Sequence, residues 1–484
     1  MKKLTDILKN TPVREVCGDT AAAIGGLVYD SRAVKPGDCF FAVPGTQSDG
    51  HDYIPMAVEK GAAAIVCERM PADAAEGVAY VLVGDSAGAM ADMAAAFYDY
   101  PSRELKLVGI TGTNGKTTTA TLLYDLVRAM GYKAGLISTV VYKIDGREVE
   151  ATHTTPDSIR LNAMMREMAD AGCAYCFMEC SSHAIVQERT RGLDFAGGIF
   201  SNITHDHLDY HKTFAEYIRA KKLFFDGLPK GAFALTNADD RNGRVMVQNT
   251  AAAVSAYSLR AMADFRCKIV EMHLDGMLLR IDGQELWVGL LGRFNAYNLL
   301  AVYGAAVLLG LDRGEVLRVL SVLHAVSGRF EKVRAANGTT AIVDYAHTPD
   351  ALENVIQTIG EIRTPGQQLI VVCGCGGDRD RTKRPEMAQI AVKYASTAIF
   401  TSDNPRHESP EAILDDMVAG LEPGARYLRI ADRAEAIRTA VMLSRPGDII
   451  LVAGKGHETY QIVGDVKHPF DDREEIKKRF ALLN

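Results

Sequence analysis

Short apolar runs, separated by turn-forming Gly, Asp and Pro, recur along the chain and divide it into three segments. In the first, residues 25–29, 38–43, 63–67 and 78–83 read as strands and the Ala- and Met-rich stretch 87–98 as a closing helix. Pro101-Ser102 then reads as a linker. The second segment opens with the apolar run 105–110, a glycine-rich turn, and a helix carrying Leu122, Leu123, Leu126, Val127 and Met130 at helical spacing on one face. Further buried-type runs at 134–141, 175–178 and 197–200 predict a mostly parallel sheet. The third segment is the most regular. Its strand-like runs end at Asp344, Cys373, Ser402, Ile430 and Ala453, with helical stretches at 350–362, 410–421 and 433–444 between them. That is a doubly wound pattern, which binds ligands beyond the carboxyl ends of its strands. Four of the five exits carry dense charge or glycine: Asp344-Tyr-Ala-His347, Gly374-Cys-Gly-Gly-Asp-Arg379, Asp403-Asn-Pro-Arg406 and Gly454-Lys-Gly-His-Glu458. These clusters are expected to converge on one crevice.

The fold class that follows is α/β in three domains. A small α/β domain is expected over 1–102, a central P-loop-type domain with a mostly parallel sheet over 103–330, and a Rossmann-like doubly wound domain over 331–484. The length of 484 residues agrees, at ~150 residues per domain. Composition adds exclusions. Lys and Arg number 54 against 61 Asp and Glu, a net charge of −7, which argues against wide phosphate-backbone contact with a nucleic acid. The N-terminal residues lack the apolar run of a signal peptide, and no apolar stretch approaches the ~20 residues that span a bilayer. A cytoplasmic, soluble monomer with small-molecule partners is expected. The nine cysteines, odd in number and irregularly spaced, read as reduced core residues.

The chemistry is anchored at Gly109-Ile-Thr-Gly-Thr-Asn-Gly-Lys-Thr-Thr118, which leaves a strand and opens a helix. Glycines let backbone N–H groups approach phosphate oxygens, and a helix N-terminus adds partial positive charge. Gly112, Thr113, Asn114, Gly115 and Thr118 would form this cradle, with Lys116 on the outer phosphates and Thr117 offering its hydroxyl to Mg²⁺. Five residues separate Gly109 from Gly115, so Gly112–Thr117 is a tighter variant of the usual spacing. A second constellation follows in Met178-Glu-Cys-Ser-Ser-His183 and Asn202-Ile-Thr-His-Asp-His-Leu-Asp-Tyr-His211. Glu179 is a candidate oxygen ligand for Mg²⁺, completed by one of His205, His207 or His211. A rival reading takes His205-x-His207-x-Asp209 as part of a zinc hydrolase box, but Tyr210 stands where that box needs a His. Cys173, Cys176 and Cys180 have the look of a metal motif; in a strand, Cys176, Met178 and Cys180 share one face and pack as small hydrophobes.

These motifs together, with Arg293-Phe-Asn-Ala-Tyr-Asn298 and Arg329-Phe-Glu331, resemble the Mur ligase family over essentially the whole chain. The resemblance implies an N-terminal domain gripping a uridine nucleotide, a central ATPase domain, and a C-terminal domain binding the incoming amino acid. It implies that ATP phosphorylates the D-Glu γ-carboxylate of UDP-N-acetylmuramoyl-L-Ala-D-Glu, and that an amine then attacks the acyl phosphate. By motif, Glu179 and His207 match metal-site positions; Asn295 and Asn298, and Arg329, Asp344 and His347 at the domain junction, match ATP contacts. The uridine substrate would meet Tyr29, Ser31, Thr46, Gln47 and Ser48, and then His153, Thr154, Thr155, Ser181, Gln187 and Arg189, although His153 replaces the usual Asn. Lys221 matches the family's carbamylated lysine, for which CO₂ would convert a cation into an anionic oxygen ligand of Mg²⁺.

Specificity rests on Asp403, Asn404, Pro405 and Arg406. Arginine binds a carboxylate through two parallel charge-assisted hydrogen bonds. Arg379 and Arg406 are therefore assigned to the carboxylates of meso-diaminopimelate, with Gly454 and Glu458 at its amino end. Alternatives are the lysine-adding ligase of the same family, folylpolyglutamate synthetase, and, in another class, a nucleotide-gated binding protein.

Overall fold

The computed structural model describes residues 1–45, 48–151, 153–204 and 208–482, with the side chains of 208 and 209 left aside. Thr46, Gln47, His205, Asp206 and His207, named above as candidates, lie outside the described residues.

Three principal sheets carry the described residues. The N-terminal sheet runs Val13–Cys17, Ala79–Val83, Ala64–Cys67, Cys39–Phe41, Leu27–Val28, antiparallel only at its first pair. The central sheet has seven strands in parallel register, in the order Ala134–Ile137, Tyr175–Glu179, Lys106–Thr111, Gly197–Phe200, Phe233–Asn237, Ala253–Ser258, Phe265–His273. Antiparallel strands extend it at both edges: Val141–Ile144 and Arg147–Glu150 on one side, Gly276–Ile281 and Gln284–Val288 on the other. In the C-terminal sheet, Thr340–Asp344, Ile449–Ala453, Leu369–Cys373, Thr397–Phe400 and Tyr427–Arg429 are parallel, with Glu331–Arg334 antiparallel at the edge.

Strands buried on both faces explain why these runs are continuously apolar. Val108 and Ile110 face the layer that holds Leu122, Leu123, Leu126 and Val127 of the Lys116–Ala129 helix. Leu107 faces the opposite layer, with Cys176, Met178, Cys180, Phe224 and Phe225. Each such side chain contributes about 1.5–3 kcal/mol by leaving water. The three cysteine-region residues thus pack together as small apolar groups. Helix starts follow local chemistry: Asp85 caps Ser86–Phe97 by accepting from Gly88 N, and Thr348 caps Pro349–Ile362 with Pro at its first position. Among the described residues, no helix is long and apolar enough to cross a membrane.

Two expectations need correction. The run 134–141 is not one strand. Ser138 Oγ donates to Val141 O and accepts from Val140 N and Val141 N, so the chain reverses, and Tyr142 pairs back on Ile137. Pro101-Ser102 is not a loose linker. It belongs to the short helix Pro101–Glu104, both residues are buried, and Ser102 Oγ accepts from Asp194 N at 3.0 Å. The sequence reading also passed over the edge strands of 141–150 and 265–288. Asp145-Gly146 and Asp282-Gly283 sit at φ 46° and 90° and at φ 46° and 88°, the doubly left-handed hairpin turn that Asp-Gly favours.

The C-terminal layers are tied by one fully buried pair. Arg433 donates to both Asp472 oxygens, at 2.7 and 2.8 Å, and to Ala453 O at 3.0 Å. Arg433→Met strands the Asp472 charge and is expected to lower unfolding free energy by about 3–5 kcal/mol in urea titration. Arg438→Ala, which removes an exposed pair with Glu435, should change it by less than about 0.5 kcal/mol.

Candidate active site

Because Lys106–Thr111 lies between Tyr175–Glu179 and Gly197–Phe200, three strand exits gather at the phosphate loop. Gly115 precedes the Lys116–Ala129 helix at φ 86°, and a Cβ there would stand 2.5 Å from Asn298 Oδ1, so only glycine fits. The loop is braced from the neighbouring exit: Asn114 N donates to Asn202 Oδ1 at 3.0 Å, and Asn114 O accepts from Ser201 Oγ at 2.6 Å. Lys116 Nζ donates to Gly112 O and Thr113 O at 2.9 and 2.8 Å, an ammonium folded over its own loop. Thr117 Oγ1 accepts from Arg329 Nη2 at 3.3 Å, bringing the junction arginine to the loop.

Glu179 ends its strand 1% exposed; its carboxylate accepts from Thr139 N at 2.7 Å and Thr139 Oγ1 at 3.2 Å. The Ser138 reversal that broke the expected strand is what places Thr139 there. Lys221, on the Phe214–Asp226 helix, is also 1% exposed, and its Nζ donates to Gly112 O at 2.7 Å while lying over the Tyr217 ring. Tyr217 Oη lies 3.1 Å from Thr113 Oγ1. His211, one of the histidine candidates, is turned into the protein: its Nε2 is 2.9 Å from Ser182 Oγ and it is 6% exposed. Glu179 and Thr117 are hard oxygen donors, which suits Mg²⁺ rather than a soft metal. Lys221 joins such a set only if its nitrogen carries an anionic oxygen group. Among the described residues there is no group of three His, Cys, Asp or Glu side chains placed to hold a metal by themselves.

The candidates for the uridine substrate fall into two groups. Thr155 Oγ1 donates to Glu179 O at 2.7 Å and accepts from Ser181 N at 3.2 Å. Arg189 donates to the Thr155 carbonyl and to Gln187 Oε1, both at 2.6 Å, so these four residues form one connected cluster. Thr154 joins it through Thr139, and His153 is bound through its backbone to Tyr142 Oη. From the N-terminal domain, Tyr29 is exposed at the surface, and its phenol pKa is raised by burial and by the charge of Asp157, with Arg189 opposing. The charges of Asp157 and Arg189, both in the central domain, thus act on Tyr29 across the domain boundary. Ser31 is buried against Met56 Sδ, whereas Ser48 is exposed.

In the C-terminal domain the four charged exits converge as expected. Asn404 Nδ2 donates to Glu458 Oε2 at 2.8 Å, and Lys455 Nζ reaches Asn404 Oδ1 and Glu458 Oε2, both at 3.0 Å. Arg406, left-handed at φ 50°, lays Nη1 on Gly377 O at 2.8 Å. Burial and the neighbouring Arg379 lower the Arg406 pKa, against the opposing charges of Asp403, Glu458 and Asp378. A Cβ on Gly454 would stand 2.4 Å from Asp403 Oδ2, and Gln461 donates to the Asp403 carbonyl at 2.6 Å, so the Asp403–Arg406 segment is clamped from two sides. Sequence reasoning missed the side chains that hold this pocket. Lys455 is fully buried. Arg384, also fully buried, grips both Glu408 oxygens, at 2.8 and 3.0 Å, and Gly376 O at 3.2 Å. Glu408 in turn accepts from Asp378 N at 2.6 Å, and the Arg384 hydrogen bond holds its pKa down to about 2. A single arginine in the first turn of Lys383–Tyr394 carries no motif; only a charge at an otherwise inward helical position could have flagged it.

Two adjoining cavities join the glycine-rich loop to the pocket at the C-terminal strand exits. One, about 340 Å³, is lined by Asn114, Gly115, Thr118, Asn298, Arg329 and Asp344. The other, about 1280 Å³, is lined by His183, Arg379, Asp403, Asn404, Arg406 and Glu458, with Gly454. Thr204, Asp239, Asp240, Tyr345, His347 and Asp350 line both. Asn295 stands behind the first cavity, donating to Leu291 O and accepting from Asn298. Asp344 lines that cavity while its oxygens accept from Phe330 N and Ala346 N at 2.7 and 2.8 Å, and burial raises its pKa. His347 Nδ1 lies 2.8 Å from Tyr345 O.

Comparison with known proteins agrees with this arrangement. Residues 23–98 match the Mur ligase family catalytic domain, 110–306 the Mur ligase middle domain, and 328–456 the Mur ligase glutamate ligase domain. A protein of Phocaeicola vulgatus named UDP-N-acetylmuramoyl-L-alanyl-D-glutamate–2,6-diaminopimelate ligase is 56% identical over 481 residues, 99% of each chain. A Bacteroides fragilis protein of the same name is 55% identical over 482 residues, again 99% of each. A solved structure of a ligase so named superposes with a TM-score of 0.71 at 31% identity, covering 100% of this chain and 99% of that one. The chain belongs to the Mur ligase family.

Proposed function

We propose that this protein is an ATP-dependent ligase that joins meso-2,6-diaminopimelate to the D-Glu γ-carboxylate of UDP-N-acetylmuramoyl-L-Ala-D-Glu, forming ADP and phosphate during peptidoglycan precursor synthesis. The observation that carries it is the continuity of the two cavities, which joins a phosphate loop to a pocket built around Arg379 and Arg406. The names of relatives at 54–56% identity support the same substrates.

A carboxylate is a poor electrophile, and transfer of the ATP γ-phosphoryl group makes it an acyl phosphate, dividing one hard step into two easier ones. The Gly112–Thr118 loop and Lys116 hold the transferring phosphates, with Asn298, Arg329, Asp344 and His347 around the nucleotide and Asn295 bracing Asn298. Mg²⁺, when bound, supplies charge neutralisation on those phosphates; Thr117, Glu179, His207 and a carbamylated Lys221 would hold it. Tyr29, Ser31, Thr46, Gln47, Ser48 and the cluster of His153, Thr154, Thr155, Ser181, Gln187 and Arg189 seat the uridine nucleotide so that its glutamyl end lies beside the loop. Arg379 and Arg406 fix the carboxylates of diaminopimelate, while Asp403, Asn404, Gly454 and Glu458 orient its amino end; Pro405 shapes the turn. The neutral amine attacks the acyl carbon, the C–O bond to phosphate breaks, and inorganic phosphate leaves. The division into working domains at 102/103 and 330/331, a monomeric state and a cytoplasmic location belong to the same proposal.

ADP release from the uridine-linked dipeptide, assayed with diaminopimelate, lysine and glutamate in turn, tests the assignment. Turnover should require diaminopimelate. Preference for lysine would make it the lysine-adding ligase, and nucleotide binding without amino-acid-dependent ADP release would make it a nucleotide-gated binding protein. Arg406→Ala should lose about 2–5 kcal/mol of diaminopimelate binding, read as a raised KM, because a buried carboxylate loses its charged partner; unchanged kinetics would overturn the specificity assignment. Native mass spectrometry should find one carbamate on Lys221, absent in Lys221→Ala, and an unmodified, fully active enzyme would end that part.

A further inference from the structure

Of the carboxylates that line both cavities, two are engaged within the central domain. Asp239 accepts from Ser258 Oγ, Leu259 N and Tyr297 Oη, and Asp240 from Ile203 N and Asn242 N. Asp350 differs. It sits in the first turn of the Pro349–Ile362 helix of the C-terminal domain, yet its Oδ2 accepts from Asn114 Nδ2 of the phosphate loop at 2.9 Å and lies 3.5 Å from Thr204 Oγ1. Asn114 suits this contact because its backbone is already committed to its own domain: its N–H to Asn202 Oδ1, its carbonyl to Ser201 Oγ and Asn202 Nδ2. The side chain alone reaches outward. The start of the Asp350 helix is in turn bound to the amino-acid pocket, since Lys383 Nζ donates to His347 O at 2.9 Å and Lys383 begins the helix that carries Arg384.

We infer that Asp350, acting through Asn114, is a positioning residue that fixes the amino-acid pocket against the phosphate loop, so that the amine is held at the place where the acyl phosphate forms. The inference rests on the ligase reading for its kinetic consequence and deepens it; the contact itself does not depend on that reading. A misplacement of about 1 Å between reacting groups costs as much as 100-fold in rate. A residue that only sets this distance acts on kcat and leaves substrate binding within each domain intact.

The test uses the full-length protein. Asp350→Ala should lower kcat about 10- to 100-fold with the KM values for ATP and diaminopimelate nearly unchanged. Asp350→Asn, which keeps an oxygen acceptor for Asn114, should restore most of that turnover. Asn114→Ala should fall similarly, and adding Asp350→Ala to it should cost no more, because both changes break one contact. A second readout needs no catalysis. With spin labels at the exposed positions Lys230 and Glu422, in a Cys17→Ser background, the interdomain distance distribution should broaden in Asp350→Ala and Asn114→Ala and stay narrow in Asp350→Asn. Wild-type kcat in Asp350→Ala, multiplying losses in the double variant, or an unchanged distance distribution would overturn the inference. An inactive wild-type protein with a broadened Asp350→Ala distribution would instead refute the ligase assignment and leave the contact's role standing.

Discussion

Parallel pairing decides where chemistry happens in this molecule. Strands that run the same way end on the same edge, so whatever follows them is delivered to one line of space. In the central sheet that edge collects the phosphate loop, Glu179 and the Ser201-Asn202 pair; in the C-terminal sheet it collects the segments after Asp344, Cys373, Phe400 and Ala453. The two edges face each other across adjoining cavities. Neither sheet alone holds both the Gly112–Thr118 loop and the pocket of Arg379 and Arg406. Their opposition is the constraint on which the ligase chemistry depends.

Keeping charged groups in place at such edges requires charged groups beneath them. Arg384, Arg433 and Lys455 are fully buried, and each is paired with a carboxylate and a further oxygen acceptor. Ions removed from water cost several kcal/mol each unless their partners are well placed, so these contacts constrain geometry more than they add stability. Arg433 secures the carbonyl at the end of Ile449–Ala453, Arg384 joins the segment after Cys373 to the segment after Phe400, and Lys455 fixes Asn404 against Glu458. Arg379, exposed, and Arg406, half-buried, then project from backbone segments that these pairs hold in place. The N-terminal domain follows the same logic more loosely, meeting the central domain through Arg191 bound to both Asp92 oxygens.

Much of this was legible in the chain before any coordinates. The division into three domains, the glycine-rich loop before a helix and the four charged strand exits were evident because each depends on local pattern: apolar runs of strand length, a glycine-rich turn before a helix, charge directly after a run. The reading failed where pattern was diluted. Residues 134–141 look like one apolar strand, but a serine hydroxyl can satisfy a reversal inside it. The strands of 265–288 are half-exposed and alternate irregularly, so their periodicity is weak, although their Asp-Gly turn was visible. Glu408 and Asp350 carried no motif, and Lys455 lay inside one without being singled out, since their importance comes from partners 24, 236 and 51 residues away.

The amino-acid sequence by itself determined the main element types, the glycine-rich turn between strand and helix, the arginine-bearing Asp403–Arg406 segment and the family, because backbone propensity, burial period and short motifs act over neighbouring residues. Only the tertiary structure decided which side chains share a cavity, how Glu179 is held by a turn forty residues upstream, and that the C-terminal domain touches the phosphate loop through Asp350. Those are contacts between groups far apart in the chain, and they exist only once two separately folded sheets have brought their carboxyl edges together.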